Sequence, residues 1–180
     1  EIEDLPVAVM RHLDIGSTNG TSPSTFDLAL RYYLEIRDET MRTGIECDAV
    51  TSIQLVFDRL GLNVDAETID TAVRHVMWDT VHEARPLDGA IDLLSDIHRA
   101  GVKLAVVSSA AYHPFLEWCL ERFKMRSMFD RVVTSAECGI YKTDPRIYQH
   151  TLDLFSVPAH EAIHIVTRIA SMSRAHPRSA

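Results

Sequence analysis

Apolar residues recur at helical spacing through most of the first half of the chain. The segments 24–43, 48–60 and 65–83 each gather their apolar side chains on one face, at intervals of three or four residues. Asp48 and Asp65 begin the second and third segments, and aspartate is a favoured N-cap of a helix. Consecutive amphipathic helices joined by short loops predict a small helical bundle.

The pattern changes after Pro86, where helical segments alternate with short apolar runs. The runs 102–107, 131–134 and 162–166 predict buried strands. Strands that alternate with helices predict a parallel sheet covered on both faces. The predicted helices of this half lie at 88–100, from Pro114 onward, and after Asp144-Pro145.

An apolar run near the start of the chain supplies the first strand of the predicted sheet, at residues 5–13. The helical bundle then becomes an insertion between the first and second strands. The expected fold class is α/β, a Rossmann-like parallel sheet core with an inserted small helical-bundle cap. The expected division is 5–22 plus 84–166 for the core, 23–83 for the cap and 167–180 for an irregular tail.

Composition and charge narrow the classes of function. The 180 residues include 18 Lys and Arg against 26 Asp and Glu, a formal net charge of −8. Sequence-independent nucleic-acid binding needs a basic surface, so we expect no nucleic-acid partner. No apolar run approaches the roughly 20 residues of a membrane-spanning helix, and no signal peptide is evident. Cys47, Cys119 and Cys138 are widely spaced, which favours reduced thiols. Together these three features predict a cytoplasmic protein without a membrane partner.

Polar residues follow the ends of the first three predicted strands. Asp14 follows the first, Ser108 the second, and Lys142 lies in the loop after the strand at 131–134. Ligands bind beyond the carboxyl ends of parallel strands, so we predict that these side chains converge on one cleft. The structural alternatives are a turn residue for Asp14, a helix cap for Ser108 and a solvated side chain for Lys142.

These strand-end motifs resemble those of the haloacid dehalogenase (HAD) superfamily of hydrolases. The segment Asp14-Ile-Gly-Ser-Thr18 resembles the variant Asp-x-Gly-Gly-Thr of the first motif. Val106-Val-Ser-Ser109 resembles the second motif, and Gly139-Ile-Tyr-Lys-Thr-Asp-Pro145 the third. The helical insertion between the first and second motifs resembles the cap of the family.

Two acidic positions of the family pattern are missing. The first motif usually contains a second aspartate, which acts as general acid and base, and Gly16 stands at that place. The fourth motif usually continues a strand into Gly-Asp, whereas Thr167-Arg168 follows the last predicted strand. The resemblance covers about residues 7–166, and its second half is the more specific part.

The resemblance implies hydrolysis of phosphate esters through an aspartyl-phosphate. Asp14 would attack phosphorus, and Lys142 would hold the nucleophile and neutralise charge on the transferred group. Ser108 would hydrogen-bond a phosphoryl oxygen, and Ser109 and Thr18 are assigned with it to phosphate binding. The expected substrate is a small phosphate ester or a similar acidic metabolite.

The same resemblance implies Mg²⁺ as a cofactor, held by Asp14 and the backbone carbonyl of Gly16. One carboxylate and one carbonyl are few ligands for this cation, so weak binding is expected. Two alternatives remain open: a carbon–halogen hydrolase that uses a similar aspartate without Mg²⁺, and a non-catalytic or truncated relative. Trp78 and Trp118 are predicted to be packing residues, and oligomeric state has no signal in the sequence.

Overall fold

The computed structural model describes residues 4–15 and 23–166, which form a helix-rich α/β fold with a small parallel sheet. Gly16, Thr18 and the predicted tail at 167–180 lie outside the described residues. Within that range the sheet consists of β1 (Ala105–Ser108) and β2 (Arg131–Thr134), paired in parallel. The α-helices are α1 (Leu5–His12), α2 (Pro23–Thr43), α3 (Ala49–Leu60), α4 (Ala66–Thr80), α5 (Ala90–Arg99), α6 (His113–Arg122), α7 (Ser135–Cys138) and α8 (Arg146–Phe155).

The predicted first strand at residues 5–13 is wrong, because this segment forms helix α1. Pro6 lies in the first turn, where its missing N–H leaves no helical hydrogen bond unmade. Leu5 and Val9 are one turn apart and both are fully buried, in contact with the core of the helical bundle. A short continuous apolar run is compatible with a buried strand or a buried helix, and periodicity alone does not distinguish them.

The predicted strand at 162–166 is also wrong. This segment pairs with no strand in the described structure, and its apolar side chains face solvent. Ile163 is 90% exposed and Ile165 is 77% exposed. An extended backbone becomes a stable strand only when a neighbour accepts its hydrogen bonds. The strand predicted at 102–107 exists but begins later, at Ala105, because the Val102 N–H is bonded to the Ile97 carbonyl at the end of α5.

The helical bundle forms where the sequence predicts it, with α2, α3 and α4 packed in succession. Helix α1 packs against α2 and α4 and joins the same core. The division of the chain into core and cap stays a prediction. The larger of the fully buried apolar side chains in the bundle are Leu5, Val9, Met10, Ile53, Val56, Phe57, Ile69 and Val73.

Both predicted aspartate N-caps of the bundle are confirmed. Asp48 accepts a hydrogen bond from the Thr51 N–H at 3.0 Å, and Asp65 accepts one from the Thr68 N–H at 2.9 Å. Each carboxylate therefore satisfies a backbone donor that has no partner within its helix.

We expect Asp48→Ala to destabilise the protein by about 1 kcal/mol, since alanine cannot accept the capping hydrogen bond. Urea unfolding followed by circular dichroism measures the change. The matched control is Asp38→Ala on the exposed face of α2, with an expected change within about 0.5 kcal/mol. Equal effects of the two substitutions would contradict a capping role for Asp48.

Burial is unequal between the two halves of the structure. Helix α5 has an apolar face but no buried residue, with Leu93 56% exposed and Ile91 37% exposed. A smaller apolar cluster around Leu120, Met125 and Val132 lies beside β2. Among the described residues, the bundle therefore contributes most of the buried apolar surface, and the sheet is attached at its side.

Candidate functional site

A cavity of about 790 Å³ lies where the carboxyl end of β1 meets the helical bundle. Ser108 ends β1, and Ser109 follows it in the loop that forms one wall. Aromatic and apolar side chains of the bundle and of α6 form much of the rest of the cavity wall. The other lining residues are Asp4, Ala8, Tyr33, Val76, Met77, Thr80, Glu83, Ala84, Ala110, Ala111, Tyr112 and Phe115.

Hydrogen bonds on both sides hold the loop after β1 in place. The Ala111 carbonyl accepts the Ala49 N–H at 2.7 Å, which ties the loop to the first turn of α3. The Ala110 carbonyl accepts the Ser135 hydroxyl at 3.3 Å, which ties it to the first turn of α7. The loop is thus anchored to the bundle and to the sheet, and Ser108 and Ser109 precede these anchors directly.

Lys142 reaches the carboxyl end of β1. Its Nζ donates a hydrogen bond to the Val107 carbonyl at 3.0 Å, next to Ser108 in the chain. The loop that carries Lys142 is fixed because the Tyr141 N–H donates to the Gly44 carbonyl at 2.9 Å. An ammonium group has three donors, so the bond to Val107 leaves others for an anion.

The described structure does not place Asp14 in this cavity. Asp14 is exposed, follows the last turn of α1 and has a left-handed backbone with φ 54°. Helix α1 lines the cavity through Ala8, with Asp4 at its N-cap, and the helix is about 12 Å long at 1.5 Å per residue. The structure therefore places Ser108 and Ser109 on the cavity wall and Lys142 against the Val107 carbonyl, but Lys142 is not among the lining residues. The convergence of Asp14, Ser108 and Lys142 on one cleft stays a prediction.

Two carboxylates of the cavity were not identified from the sequence. Asp4 is the N-cap residue of α1, and Glu83 ends the short 3-10 turn after α4. Neither follows a strand, so the rule that places ligands at strand ends could not find them. Both are exposed and lie on elements of the bundle side of the cavity.

Asp144 immediately precedes Pro145, the N-cap residue of α8. Its Oδ1 accepts the Arg146 N–H at 2.8 Å at the start of α8, and its Oδ2 lies 2.7 Å from Arg146 Nη2. The hydrogen bond from the Arg146 side chain lowers the pKa of Asp144 below its usual value. Asp144 thus binds the first residue of α8 through both its carboxylate oxygens, and it is not among the residues that line the cavity.

The predicted Mg²⁺ site stays a prediction, because one of its two ligands lies outside the described residues. In residues 4–15 and 23–166, no group of three or more His, Cys, Asp or Glu side chains is placed to hold a metal ion. Mg²⁺ favours several oxygen ligands in octahedral geometry. Asp14 is the one predicted ligand in the described range, and the carbonyl of Gly16 lies outside it.

Cys47, Cys119 and Cys138 are all free, and burial raises the pKa of the Cys47 and Cys119 thiols. A raised pKa lowers the thiolate fraction near neutral pH, so neither of these two thiols is activated as a nucleophile.

Among the described helices, none has both the length and the apolar character to cross a membrane.

Comparison with known proteins gives both phosphatase and dehalogenase relatives. Haloacid dehalogenase-like hydrolase domain-containing protein 3 of Homo sapiens is 34% identical over 103 residues, which is 56% of this chain and 40% of that protein. Pyrimidine 5'-nucleotidase YjjG of Escherichia coli (strain K12) is 28% identical over 123 residues, 66% of this chain and 52% of that protein. (S)-2-haloacid dehalogenase 1 of Pseudomonas sp. (strain CBS-3) is 26% identical over 95 residues, 53% of this chain and 41% of that protein.

The chain spans about half, or less, of the length of these curated relatives. Among solved structures, L-2-haloacid dehalogenase from Xanthobacter autotrophicus gives a TM-score of 0.46 at 15% identity, covering 88% of this chain and 61% of that chain. The relatives are named for different reactions, so they do not decide between phosphate-ester and carbon–halogen substrates.

The family model described as haloacid dehalogenase-like hydrolase matches residues 18–166. The match includes Ser108, Ser109 and Lys142, and it begins after Asp14 and Gly16. The resemblance found in the strand-end motifs is thereby confirmed for most of the chain. This chain belongs to the haloacid dehalogenase-like hydrolase family.

Proposed function

We propose that this chain hydrolyses small phosphate esters and binds the phosphate group at the carboxyl end of β1. The main support is the position of Lys142. Its Nζ lies 3.0 Å from the carbonyl of Val107, the residue that precedes Ser108 in the chain. The chain has a formal net charge of −8, so an anionic substrate needs a local cation to hold it.

The roles of the phosphate-binding residues follow from their donors. The hydroxyls of Ser108 and Ser109 donate hydrogen bonds to phosphoryl oxygens, and the Lys142 ammonium adds a charge-assisted bond. As the phosphorus–oxygen bond of the ester breaks, negative charge grows on the oxygens, and these fixed donors stabilise it. The aromatic and apolar wall of the cavity, which includes Tyr112 and Phe115, accommodates the organic part of the ester.

The covalent step uses a carboxylate of the chain. Asp14 attacks phosphorus, forms an aspartyl-phosphate and releases the alcohol, and water then hydrolyses the intermediate. This role rests on the motif resemblance alone. Because Gly16 stands where the family has its second aspartate, another group must protonate the leaving alkoxide. Of the two carboxyl groups among the cavity's lining residues, Asp4 stands at the opposite end of α1 from Asp14, so we assign that proton transfer to Glu83.

A second candidate is the hydrolysis of a carbon–halogen bond in a 2-haloacid. The carboxylate of such a substrate would bind the same hydroxyls and ammonium, and Asp14 would displace halide to form an ester. The observation that favours it is Gly16, which stands where the family has the aspartate that acts as general acid, because a departing halide needs no such acid. One relative also bears the name of a haloacid dehalogenase.

Product analysis separates the two candidates. The chain is incubated with p-nitrophenyl phosphate, a pyrimidine 5'-nucleotide and 2-chloropropionate, each with and without Mg²⁺. We expect inorganic phosphate from at least one ester and no chloride above background. Chloride release without phosphate release would replace the proposal by the second candidate, and release of neither product would contradict both.

Ser108→Ala is expected to lower kcat/KM for the ester by about 10- to 100-fold, the effect of losing one hydrogen bond to a charged group. Steady-state kinetics measure the change. Ser127→Ala is the matched control, because Ser127 is exposed on the 3-10 turn after α6. An unchanged kcat/KM for Ser108→Ala would remove Ser108 from the phosphate site.

A further inference from the structure

A second cleft, of about 370 Å³, lies between α4 and α6 and is lined by Arg74, His75, Trp78 and Trp118. The rings of Trp78 and Trp118 meet edge to face, with centroids 5.1 Å apart and an interplanar angle of 84°. The sequence predicts both tryptophans to be packing residues, but Trp78 is 48% exposed. The cleft is therefore an open corner with aromatic walls.

One wall of this corner is held firmly by the bundle. Trp118 is half-buried, packs partly against the bundle core and contacts Tyr112 with ring centroids 5.9 Å apart. Trp78 projects from α4, whose neighbouring residues Val73 and Met77 are buried. A ligand in the corner would thus meet a preformed surface, which limits the conformational entropy lost on binding.

Arg74 gives the cleft its charge. Its guanidinium carbon lies 6.0 Å from the centre of the Trp118 ring. Arg74 is exposed, and within the described residues its guanidinium makes no hydrogen bond and no ion pair, so in that part of the chain no acceptor uses its N–H donors. His75 is exposed beside it, and none of the residues that line the cleft is acidic.

These groups select the class of ligand. A cation would be repelled, because Arg74 already occupies the face of Trp118. A planar aromatic ring fits the corner of two indoles, and a carboxylate matches the fork of a guanidinium. The volume is near the lower end of the range of ligand pockets, about 300–1,000 Å³, which suits a single small molecule.

We propose that this cleft binds an aromatic carboxylate, with its ring against Trp78 and Trp118 and its carboxylate on Arg74. The cleft and the larger cavity lie on different faces of α4. Val76 and Met77 line the cavity, whereas Arg74 and Trp78 line the cleft. Binding here therefore needs neither the phosphate site nor catalysis, and it stands if the proposed hydrolysis fails.

The experiment uses the two indole N–H signals in ¹H–¹⁵N spectra of the full chain. Trp78 and Trp118 are its only tryptophans, so both signals report on this cleft. We expect benzoate to shift both signals saturably. Cyclohexanecarboxylate, which lacks the aromatic ring, is expected to bind about 2- to 10-fold more weakly, and benzylammonium is expected to shift neither signal.

Arg74→Gln is expected to weaken benzoate binding by about 10-fold or more, because a charge-assisted bidentate contact is lost. The matched control is Arg31→Gln, since the Arg31 guanidinium is also exposed and stacked, 5.6 Å from the centre of the Tyr32 ring. The control is expected to bind benzoate as the original chain does. Equal binding by the Arg74 variant, or binding of benzylammonium as tight as that of benzoate, would overturn the proposal.

Discussion

Lys142→Met is expected to lower kcat/KM for phosphate-ester hydrolysis by about 10²–10³-fold, the effect of removing one donor that stabilises a developing oxyanion. Methionine keeps the length and flexibility of the side chain but has no charge and no hydrogen-bond donor. The loss should appear mainly in kcat, because charge on the phosphoryl oxygens grows towards the transition state. Steady-state kinetics with p-nitrophenyl phosphate measure both constants.

Lys103→Met is the matched control for this substitution. Lys103 precedes β1 at the opposite end of the strand, and its Nζ lies 5.9 Å from the centre of the Phe155 ring. The kinetic constants of this variant are expected to stay within about twofold of the original, because the ammonium is remote from Ser108. A Lys142 variant that keeps full activity would show that the bond to Val107 is structural only.

Arg37→Met is expected to destabilise the protein by about 3–5 kcal/mol, the usual effect of removing one partner of a buried ion pair. Arg37 Nη1 lies 2.7 Å from Glu46 Oε1, and the two side chains are 6% and 1% exposed. The same nitrogen donates to the Cys47 carbonyl at 2.7 Å. Without Arg37, the Glu46 carboxylate would be buried without a counter-ion among the residues that the structure describes, where its Oε2 already lacks a hydrogen-bond partner.

Urea unfolding at neutral pH measures this loss, with Arg59→Met as the control. Arg59 forms an exposed ion pair with Glu35 at 3.2 Å, and removing such a pair changes stability by about 0–1 kcal/mol. The double substitution of Arg37→Met with Glu46→Leu is expected to recover stability, because no unpaired charge remains. A change below about 1 kcal/mol for Arg37→Met alone would contradict the burial of this pair.

The helical bundle was predictable because its signals are local. The stripes of α2, α3 and α4 lie within single segments, and the N-caps Asp48 and Asp65 each act on a donor three residues away. Strand pairing depends on segments that are far apart in the chain, so the sequence predicted the strands less well than the helices. The run at 5–13 forms a helix against the bundle, and the run at 162–166 has no described neighbour to pair with.

The position of Ser108 was predictable from the sequence because this residue ends a paired strand, whereas the site roles of Ser108 and Lys142 stay predictions. Ser108 ends β1, and the loop after β2 and α7 delivers Lys142 to the same edge, as expected for parallel strands. Asp14 was placed at this edge on the assumption of a first strand, and that segment is a helix. Glu83 lines the cavity on the short turn after α4, which packs against α6, and no sequence pattern encodes that contact.

Calorimetric titration of the full chain with inorganic phosphate tests the central claim most directly, because it requires neither a known substrate nor turnover. We expect one saturable site, with affinity reduced about tenfold or more by Lys142→Met. Lys103→Met and Arg74→Gln are expected to leave that affinity unchanged. Phosphate binding that is equally strong in the Lys142 variant, or absent from the original chain, would contradict an anion site at the carboxyl end of β1.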